Sequence, residues 1–187
     1  MVYNRDWLIK YLNDKEFTSY AEIGVWRAKL ARRVWTECPK LEQIFLIDPY
    51  DVNKMNRFVD GKWHVNSSEA KGRKRKLESQ ETMDEAYANL MAEKPFHVEV
   101  IRATSAEAAD QFEDNSLDMA FIDADHFYEG VKLDILMWLP KVRRALLGDD
   151  YIKRFPGVCQ AVKEVFGENY STSGQIWYHE KTLESTR

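Results

Sequence analysis

Short apolar runs alternate with amphipathic segments along most of the chain, and this alternation restricts the fold more than any other feature. Six runs have strand length: SYAEIGV (19–25), QIFLIDP (43–49), HVEVIRA (97–103), LDMAFIDAD (117–125), RALLG (144–148) and QIWYHEK (175–181). Helical spacing of apolar residues lies around and between them, at 6–13, 27–38, 105–112, 128–139 and 157–167. Apolar strands that alternate with helices are typical of a parallel sheet covered by helices on both faces. We therefore predict an α/β fold with a parallel sheet that has helices on both faces.

Length and charge limit the class of protein. The chain has 187 residues and a formal net charge of -4 at pH 7. This length suits one core, so we predict a single domain over 1–187. The mild charge predicts no nucleic-acid or membrane partner, and no apolar run is long enough to span a bilayer. Cys38 and Cys159 form neither a metal-binding spacing nor a disulfide framework, so we expect a cytoplasmic protein. No sequence feature indicates an oligomeric state.

The polar segment 51–80 interrupts the alternation. It contains the basic run KGRKRK (71–76), and a helix is predicted after it, over about 77–93. We interpret the segment as an inserted loop. A solvated loop is the simpler explanation of the basic run, and a clamp for a phosphorylated or acidic partner is the alternative.

Acidic residues collect where the predicted strands end. Asp48 follows the second strand, Asp123 and Asp125 the fourth, and Asp149 and Asp150 the fifth. Ligands of parallel sheets bind beyond these carboxyl ends, so we expect the acids to face a cleft. Converging carboxylates repel one another and raise one another's pKa, which a divalent cation would relieve. Ligation by oxygen favours Mg²⁺, with Mn²⁺ as an alternative.

The stretch AEIGVWRAK (21–29) joins the first strand to its helix. Gly24 allows a tight turn there, and Glu22 suits a cationic ligand better than a pyrophosphate. Asp48 lies where an acid can accept hydrogen bonds from ribose hydroxyls. Taken singly, Glu22 and Asp48 can also be ordinary acids at strand ends.

His126 is a candidate general base, because it lies three residues after Asp123 and can take a proton near neutral pH. Asp125 is the competing candidate. A histidine at the start of a helix and acids in a turn, at Asp149 and Asp150, are the structural alternatives.

Four stretches resemble the motifs of class I S-adenosylmethionine-dependent methyltransferases. They are AEIGVWRAK, LIDPY, LDMAFIDADHFYEGVKLDILMWLP and GDDYIKRFPGVCQAVKEVF. The resemblance covers about 19–50 and 96–180 and is to metal-dependent small-molecule O-methyltransferases, including those of macrolide sugars and aminocoumarins. It implies an α/β fold with a Rossmann-like, seven-stranded, mostly parallel sheet, helices on both faces and an antiparallel C-terminal strand. Two departures are Ala28, where glycine is frequent, and KVRRALLG, which lacks the usual Pro-Gly-Gly turn.

Carried over by position, the resemblance implies roles for individual residues. The S-adenosylmethionine site would comprise Glu22, Gly24, Val25, Trp26, Asp48, Ser105, Ala106 and Asp123. The metal ligands would be Asp123, Asp149 and Asp150, and the catalytic base His126 or Asp125. The implied function is Mg²⁺-dependent O-methylation of a hydroxyl on a small-molecule acceptor. A nicotinamide-dependent oxidoreductase and a non-catalytic cofactor-binding relative are the alternatives, and the missing GxGxxG pattern disfavours the first.

Overall fold

The computed structural model describes residues 4–59, 62–65 and 79–182. Its helices are α1 (Asn4–Asp14), α2 (Lys29–Glu37), α3 (Val52–Met55), α4 (Gln80–Glu93), α5 (Ser105–Ala109), α6 (Tyr128–Trp138) and α7 (Pro156–Phe166). Its strands are β1 (Ser19–Ile23), β2 (Gln43–Ile47), β3 (Asn56–Val59), β4 (Lys62–Val65), β5 (Val98–Ile101), β6 (Leu117–Ile122), β7 (Val142–Gly148), β8 (Ser171–Ser173) and β9 (Ile176–Glu180). No described helix has both the length and the apolar content that crossing a membrane requires.

The main sheet has seven strands in the order β5-β2-β1-β6-β7-β9-β8. The first five strands in that order are parallel, β9 runs antiparallel to β7, and β8 is antiparallel to β9. The predicted α/β class and the antiparallel C-terminal strand are therefore confirmed. The strand order reverses between β1 and β6, and sheets of this type bind ligands at such a switch point.

Two apolar layers cover the two faces of the sheet. One layer contains Leu8 of α1, Val34 of α2 and Leu90 of α4, and the other contains Ile135 of α6 and Val162 of α7. All five residues are fully buried. Successive residues of β1 enter opposite layers, which explains why its sequence is apolar without alternation.

The structure corrects two sequence predictions. The C-terminal part has two strands where the sequence predicts one, because β8 is short, polar and largely exposed and so carries no apolar pattern. The predicted loop at 51–80 contains helix α3 and an antiparallel pair of strands, β3 and β4. The Asp-Gly dipeptide at 60–61 is a sequence signal for such a hairpin that the loop prediction missed. The basic run 71–76 lies outside the described residues, and its interpretation stays a prediction.

Candidate active site at the carboxyl edge of the sheet

Three acids and one glycine form a single row across the carboxyl edge of the sheet. Each is the first residue after its strand, and its amide donates to the last carbonyl of the adjacent strand: Asp48 to Ile101 (3.3 Å), Gly24 to Ile47 (2.9 Å), Asp123 to Ile23 (2.8 Å) and Asp149 to Ile122 (3.0 Å). Three of the predicted strands were too long at this end, because they included Gly24, Asp48 and Asp123, whereas the predicted strand 144–148 ends at Gly148 as observed. The row thus places Gly24, which has no side chain, between two acids at the switch point.

Gly24 lets the turn after β1 approach the end of β6. Its φ of +93° is in the left-handed region that favours glycine. A Cβ atom at this position would lie 2.2 Å from the backbone carbonyl oxygen of Asp123. Both the conformation and the close approach therefore require glycine, as the sequence suggested for a tight turn.

Two further residues of this turn also have left-handed backbone conformations. Trp26 has a φ of 47° and Ala28 a φ of 54°. Helix α2 consequently begins at Lys29, two residues later than predicted, because Ala28 is its non-helical cap. The left-handed Ala28 also explains why glycine is favourable at this position. Val25 is buried, while the Trp26 indole is 37% exposed beneath the guanidinium of Arg27, 4.8 Å from the ring centre.

Asp48 ties this turn to the end of β2. Its carboxylate accepts the backbone N–H of Trp26 and that of Tyr50, both at 2.8 Å. The side chain is buried, and this burial raises the pKa of Asp48 despite the hydrogen bonds. The structure therefore places Asp48 beside the predicted cofactor turn, and its contact with ribose stays a prediction.

Glu22 is buried beneath the same turn, on the face of β1 that carries Tyr20. The Tyr20 hydroxyl donates to the Glu22 carboxylate at 3.3 Å. Burial raises the pKa of Glu22 to about 8, and the charge of Asp48 adds to this shift while Arg5 opposes it. Glu22 is therefore mostly protonated at pH 7, and an approaching cation would favour its ionised form.

The C-terminal ends of β6 and β7 bring together Asp123, His126 and Asp150. One ligand atom from each lies within 4.8 Å of the others. The His126 Nε2 atom is 2.6 Å from the Asp150 carboxylate. Burial, followed by the charges of Asp149 and Asp150, raises the pKa of Asp123 well above its usual range. This geometry can hold a cation.

Asp149 lies beside this group, with its carboxylate turned toward the backbone. It accepts the N–H of Asp150 at 2.8 Å, and Asp150 itself has a left-handed φ of 59°. Burial raises the pKa of Asp149. Of the predicted ligands, the structure thus groups Asp123 and Asp150 with His126, while Asp149 contributes a neighbouring charge.

The two candidate bases differ in their surroundings. Burial alone lowers the pKa of His126, but the hydrogen bond to Asp150 and the nearby carboxylates outweigh it, so the pKa rises. The His126 ring packs on Phe155, with 4.5 Å between ring centres, and its buried Nδ1 has no partner among the described residues. Asp125 accepts the N–H of Phe127 at 2.9 Å, at the start of α6.

Ser105 and Ala106 lie in the first turn of α5, after β5. Thr104 caps this helix and forms a capping box with Glu107. The Ser105 hydroxyl instead accepts a hydrogen bond from the Trp138 indole at 2.9 Å. Their contact with adenine stays a prediction.

Sequence reasoning missed two residues at this edge. Arg5 of α1 approaches Asp123, with 3.9 Å between its Nη2 and a carboxylate oxygen. The Tyr50 hydroxyl is buried without a hydrogen-bond partner among the described residues. The helical pattern of α1 predicts a helix but not where it packs. Tyr50 lies within the quoted LIDPY motif, so that motif was the available signal for it.

Comparisons with known proteins agree with this arrangement. A family model described as a methyltransferase domain matches residues 21–151. An uncharacterized protein of Sinorhizobium fredii, y4gI, is 39% identical over 62 residues, which are 32% of this chain and 7% of that protein. The chain therefore spans only a small part of this curated relative.

Solved structures share the fold at low sequence identity. A Staphylococcus aureus protein provisionally classed as a caffeoyl-CoA O-methyltransferase has a TM-score of 0.66 and 12% identity, covering 97% of this chain and 85% of its own. The O-methyltransferase NovP has a TM-score of 0.62 and 15% identity, covering 96% and 78%. A Bacillus cereus O-methyltransferase in complex with SAH has a TM-score of 0.60 and 16% identity, covering 95% and 80%.

These identities show a shared fold, and the family model carries the assignment. It spans well over half of the chain and includes the turn after β1 and the acids after β2, β6 and β7. The chain belongs to the methyltransferase domain family, and it has the Rossmann-like fold that these solved O-methyltransferase structures share.

Proposed function

We propose that this chain transfers a methyl group from S-adenosylmethionine to a hydroxyl of a small molecule, with a divalent metal ion at Asp123 and Asp150. One observation carries the proposal. Asp123 is a carboxylate at the switch point of the sheet, with 24% of its side chain exposed and with the charges of Asp149 and Asp150 beside it. An arrangement of this kind is unfavourable without a cation.

The residues present fit a hard divalent cation. Asp123 and Asp150 offer carboxylate oxygens, and His126 offers a ring nitrogen within the same 4.8 Å group. Mg²⁺ prefers oxygen ligands, and Mn²⁺ also accepts imidazole, so this donor set suits either ion. Asp149 adds negative charge next to the group. A bound divalent ion would lower the pKa of an acceptor hydroxyl and orient it.

The turn after β1 is the proposed cofactor site. Gly24, Val25 and Trp26 bring backbone groups close to the end of β6, and Glu22 and Asp48 supply buried carboxylates beneath them. S-adenosylmethionine carries two positive centres, which suit these acids. Ser105 and Ala106 in the first turn of α5 are the proposed adenine neighbours. The chain's main catalytic contribution would be to align acceptor oxygen, methyl carbon and sulfur.

His126 is the proposed general base, and Asp125 is its competitor. The carboxylates around His126 favour its protonated form, so neutralising their charge lowers its pKa toward the range where a neutral imidazole accepts a proton. Its Nδ1, which has no partner among the residues that the structure describes, is the nitrogen proposed for this role, because Nε2 contacts Asp150. Asp125 is already engaged at the start of α6.

Binding and turnover can be tested separately. Calorimetric titration with S-adenosylhomocysteine and with NAD should show binding of the first, weakened in Asp48→Ala. Methyl transfer from labelled S-adenosylmethionine to a panel of phenolic and sugar hydroxyl acceptors should stop in EDTA and return with Mg²⁺. Full transfer in EDTA would remove the metal from the proposal. Binding without transfer to any acceptor would favour the non-catalytic alternative.

The base assignment has a matched control. His126→Ala should reduce turnover by about 10² or more while S-adenosylhomocysteine affinity is kept, because a base acts in the transition state. His97→Ala removes a histidine that precedes β5, away from the site, and should have no effect. Loss of turnover in Asp125→Asn, with His126→Ala still active, would assign the base to Asp125.

The setting of the protein is part of the proposal. We expect a small-molecule acceptor, with neither nucleic acid nor membrane as partner, and a cytoplasmic location. The free thiols of Cys38 and Cys159 are consistent with a reducing compartment.

A further inference from the structure

Helix α1 holds its first turn firmly over the acidic group. Leu8 and Leu12 of α1 are 0% and 2% exposed. On another side of the helix, Trp7 packs on Tyr11 and on Tyr178 of β9, with ring centres 4.9 and 5.2 Å apart. Apolar packing therefore anchors the helix, and an ion pair between Asp6 of its first turn and Arg33 of α2, at 2.7 Å, adds to it without involving Arg5.

Arg5 extends from this first turn toward the acids. Its Nη2 atom is 3.9 Å from the Asp123 carboxylate, and its side chain is 42% exposed. Its positive charge opposes the upward pKa shifts that burial causes in Glu22, Asp123 and Asp149. One guanidinium thus acts on acids of three neighbouring strands.

A guanidinium at this distance and a divalent cation would compete for the same carboxylate. Asp123 lies in the group that could hold a metal, and Arg5 contacts one of its two oxygens. Two cations close to one carboxylate repel each other, and this repulsion falls with solvent exposure. The half-exposed arginine can move into solvent while α1 stays packed.

We propose that Arg5 is a displaceable counter-ion, which stabilises the buried acids when the metal site is empty and is expelled when a divalent cation binds Asp123. This inference rests on the proposed metal site and adds a role for α1. The two effects are linked thermodynamically. If Arg5 weakens metal binding by a given factor, a bound metal weakens the contact between Arg5 and Asp123 by the same factor. Arg5 is therefore a positioning residue that sets the metal affinity of the site.

The experiment compares Arg5→Gln with Lys10→Gln. Both variants remove one positive charge from α1, but Lys10 pairs with Asp14 on the exposed side of the helix. Mn²⁺ binding is measured by electron paramagnetic resonance, and melting temperature is measured in EDTA and in Mg²⁺, so neither readout needs turnover. Arg5→Lys tests whether charge alone suffices.

We expect Arg5→Gln to bind Mn²⁺ about fivefold more tightly than the wild type, a factor typical of a half-exposed ion pair. Its melting temperature should fall in EDTA, and Mg²⁺ should reduce or reverse this difference. Lys10→Gln should match the wild type in every measurement, and Arg5→Lys should lie between.

Equal Mn²⁺ affinity in wild type and Arg5→Gln, or the same stability loss in EDTA and Mg²⁺, would overturn the role of Arg5 and leave the metal proposal intact. Weaker Mn²⁺ binding in Arg5→Gln would also overturn the counter-ion role of Arg5. It would mean that Arg5 holds the acids in position for the metal. Absence of Mn²⁺ binding in both proteins would refute the metal site, and the counter-ion role with it.

Discussion

Replacement of Gly24 by alanine tests the geometry of the site most directly. The residue has a φ of +93°, and an added Cβ would meet the Asp123 carbonyl oxygen at 2.2 Å, a separation far below van der Waals contact. That oxygen belongs to backbone at the end of β6, so it cannot rotate away as a flexible side chain would. Either the turn after β1 or the end of β6 must move.

Two costs add in this variant. A left-handed backbone costs an L-residue about 1–2 kcal/mol, and overpacking of a close contact adds about 1–3 kcal/mol. The expected loss in the free energy of unfolding is therefore about 2–5 kcal/mol. For a domain of this size, each kcal/mol lowers the melting temperature by about 2–4 °C.

Gly167→Ala is the matched control. Gly167 has a φ of +58°, but nothing lies within 4 Å of a Cβ built on it. The Gly167→Ala variant therefore has the energetic cost of a positive φ at an L-residue, but its added Cβ atom meets no other atom. Urea denaturation of both variants should show the larger loss in Gly24→Ala, and calorimetry should show weaker S-adenosylhomocysteine binding in that variant alone. Equal stability losses would refute the close approach of the β1 turn to Asp123.

Two buried groups at the same edge give further predictions. Because burial raises the pKa of Glu22 to about 8 from an unfolded value near 4.5, its contribution to stability is complete below about pH 4.5 and is lost as the pH rises through 8. Glu22→Gln should therefore flatten the decline in unfolding free energy between pH 6 and 9 in urea titrations, and an unchanged slope would contradict the burial of an uncharged Glu22. Tyr50→Phe should stabilise the protein by up to about 1–3 kcal/mol, because it removes a buried hydroxyl without a partner. Tyr20→Phe loses the hydrogen bond to Glu22 and should therefore destabilise the protein. A loss of stability in Tyr50→Phe would show that the Tyr50 hydroxyl is paired.

Strand periodicity and strand-end acids were predictable from the sequence. The run LDMAFI is mostly apolar, and this pattern alone indicated a central strand. In the structure every position of that strand is buried. The position of Asp123 after that run follows from the same pattern. The placement of Asp48 and Asp149 in the same row follows once the strands are known to be parallel.

Features that depend on tertiary packing were not predictable. Arg5 and Asp123 are far apart in the sequence and meet only through the docking of α1 on the sheet, so no local pattern indicates their contact. The group includes His126 and leaves out Asp149, whose carboxylate accepts the backbone N–H of Asp150, and this orientation has no sequence signal. Strand β8, with the sequence STS, has no apolar signal and forms because β9 provides a partner.

Local strain supports the location of the site independently of any resemblance. Within the described part of the chain, six non-glycine residues have positive φ, and four of them, Trp26, Ala28, Tyr50 and Asp150, follow β1, β2 and β7 at the carboxyl edge. The described side-chain atoms that are buried without a partner, on Tyr50 and His126, belong to this edge as well. Natural sequences tend to break local rules where function requires it, and strained backbone persists only where its surroundings fix it. The buried acids, the unpaired polar atoms and the strained turns thus coincide at the edge where the strand order reverses, which is the position where a sheet of this topology binds its ligand.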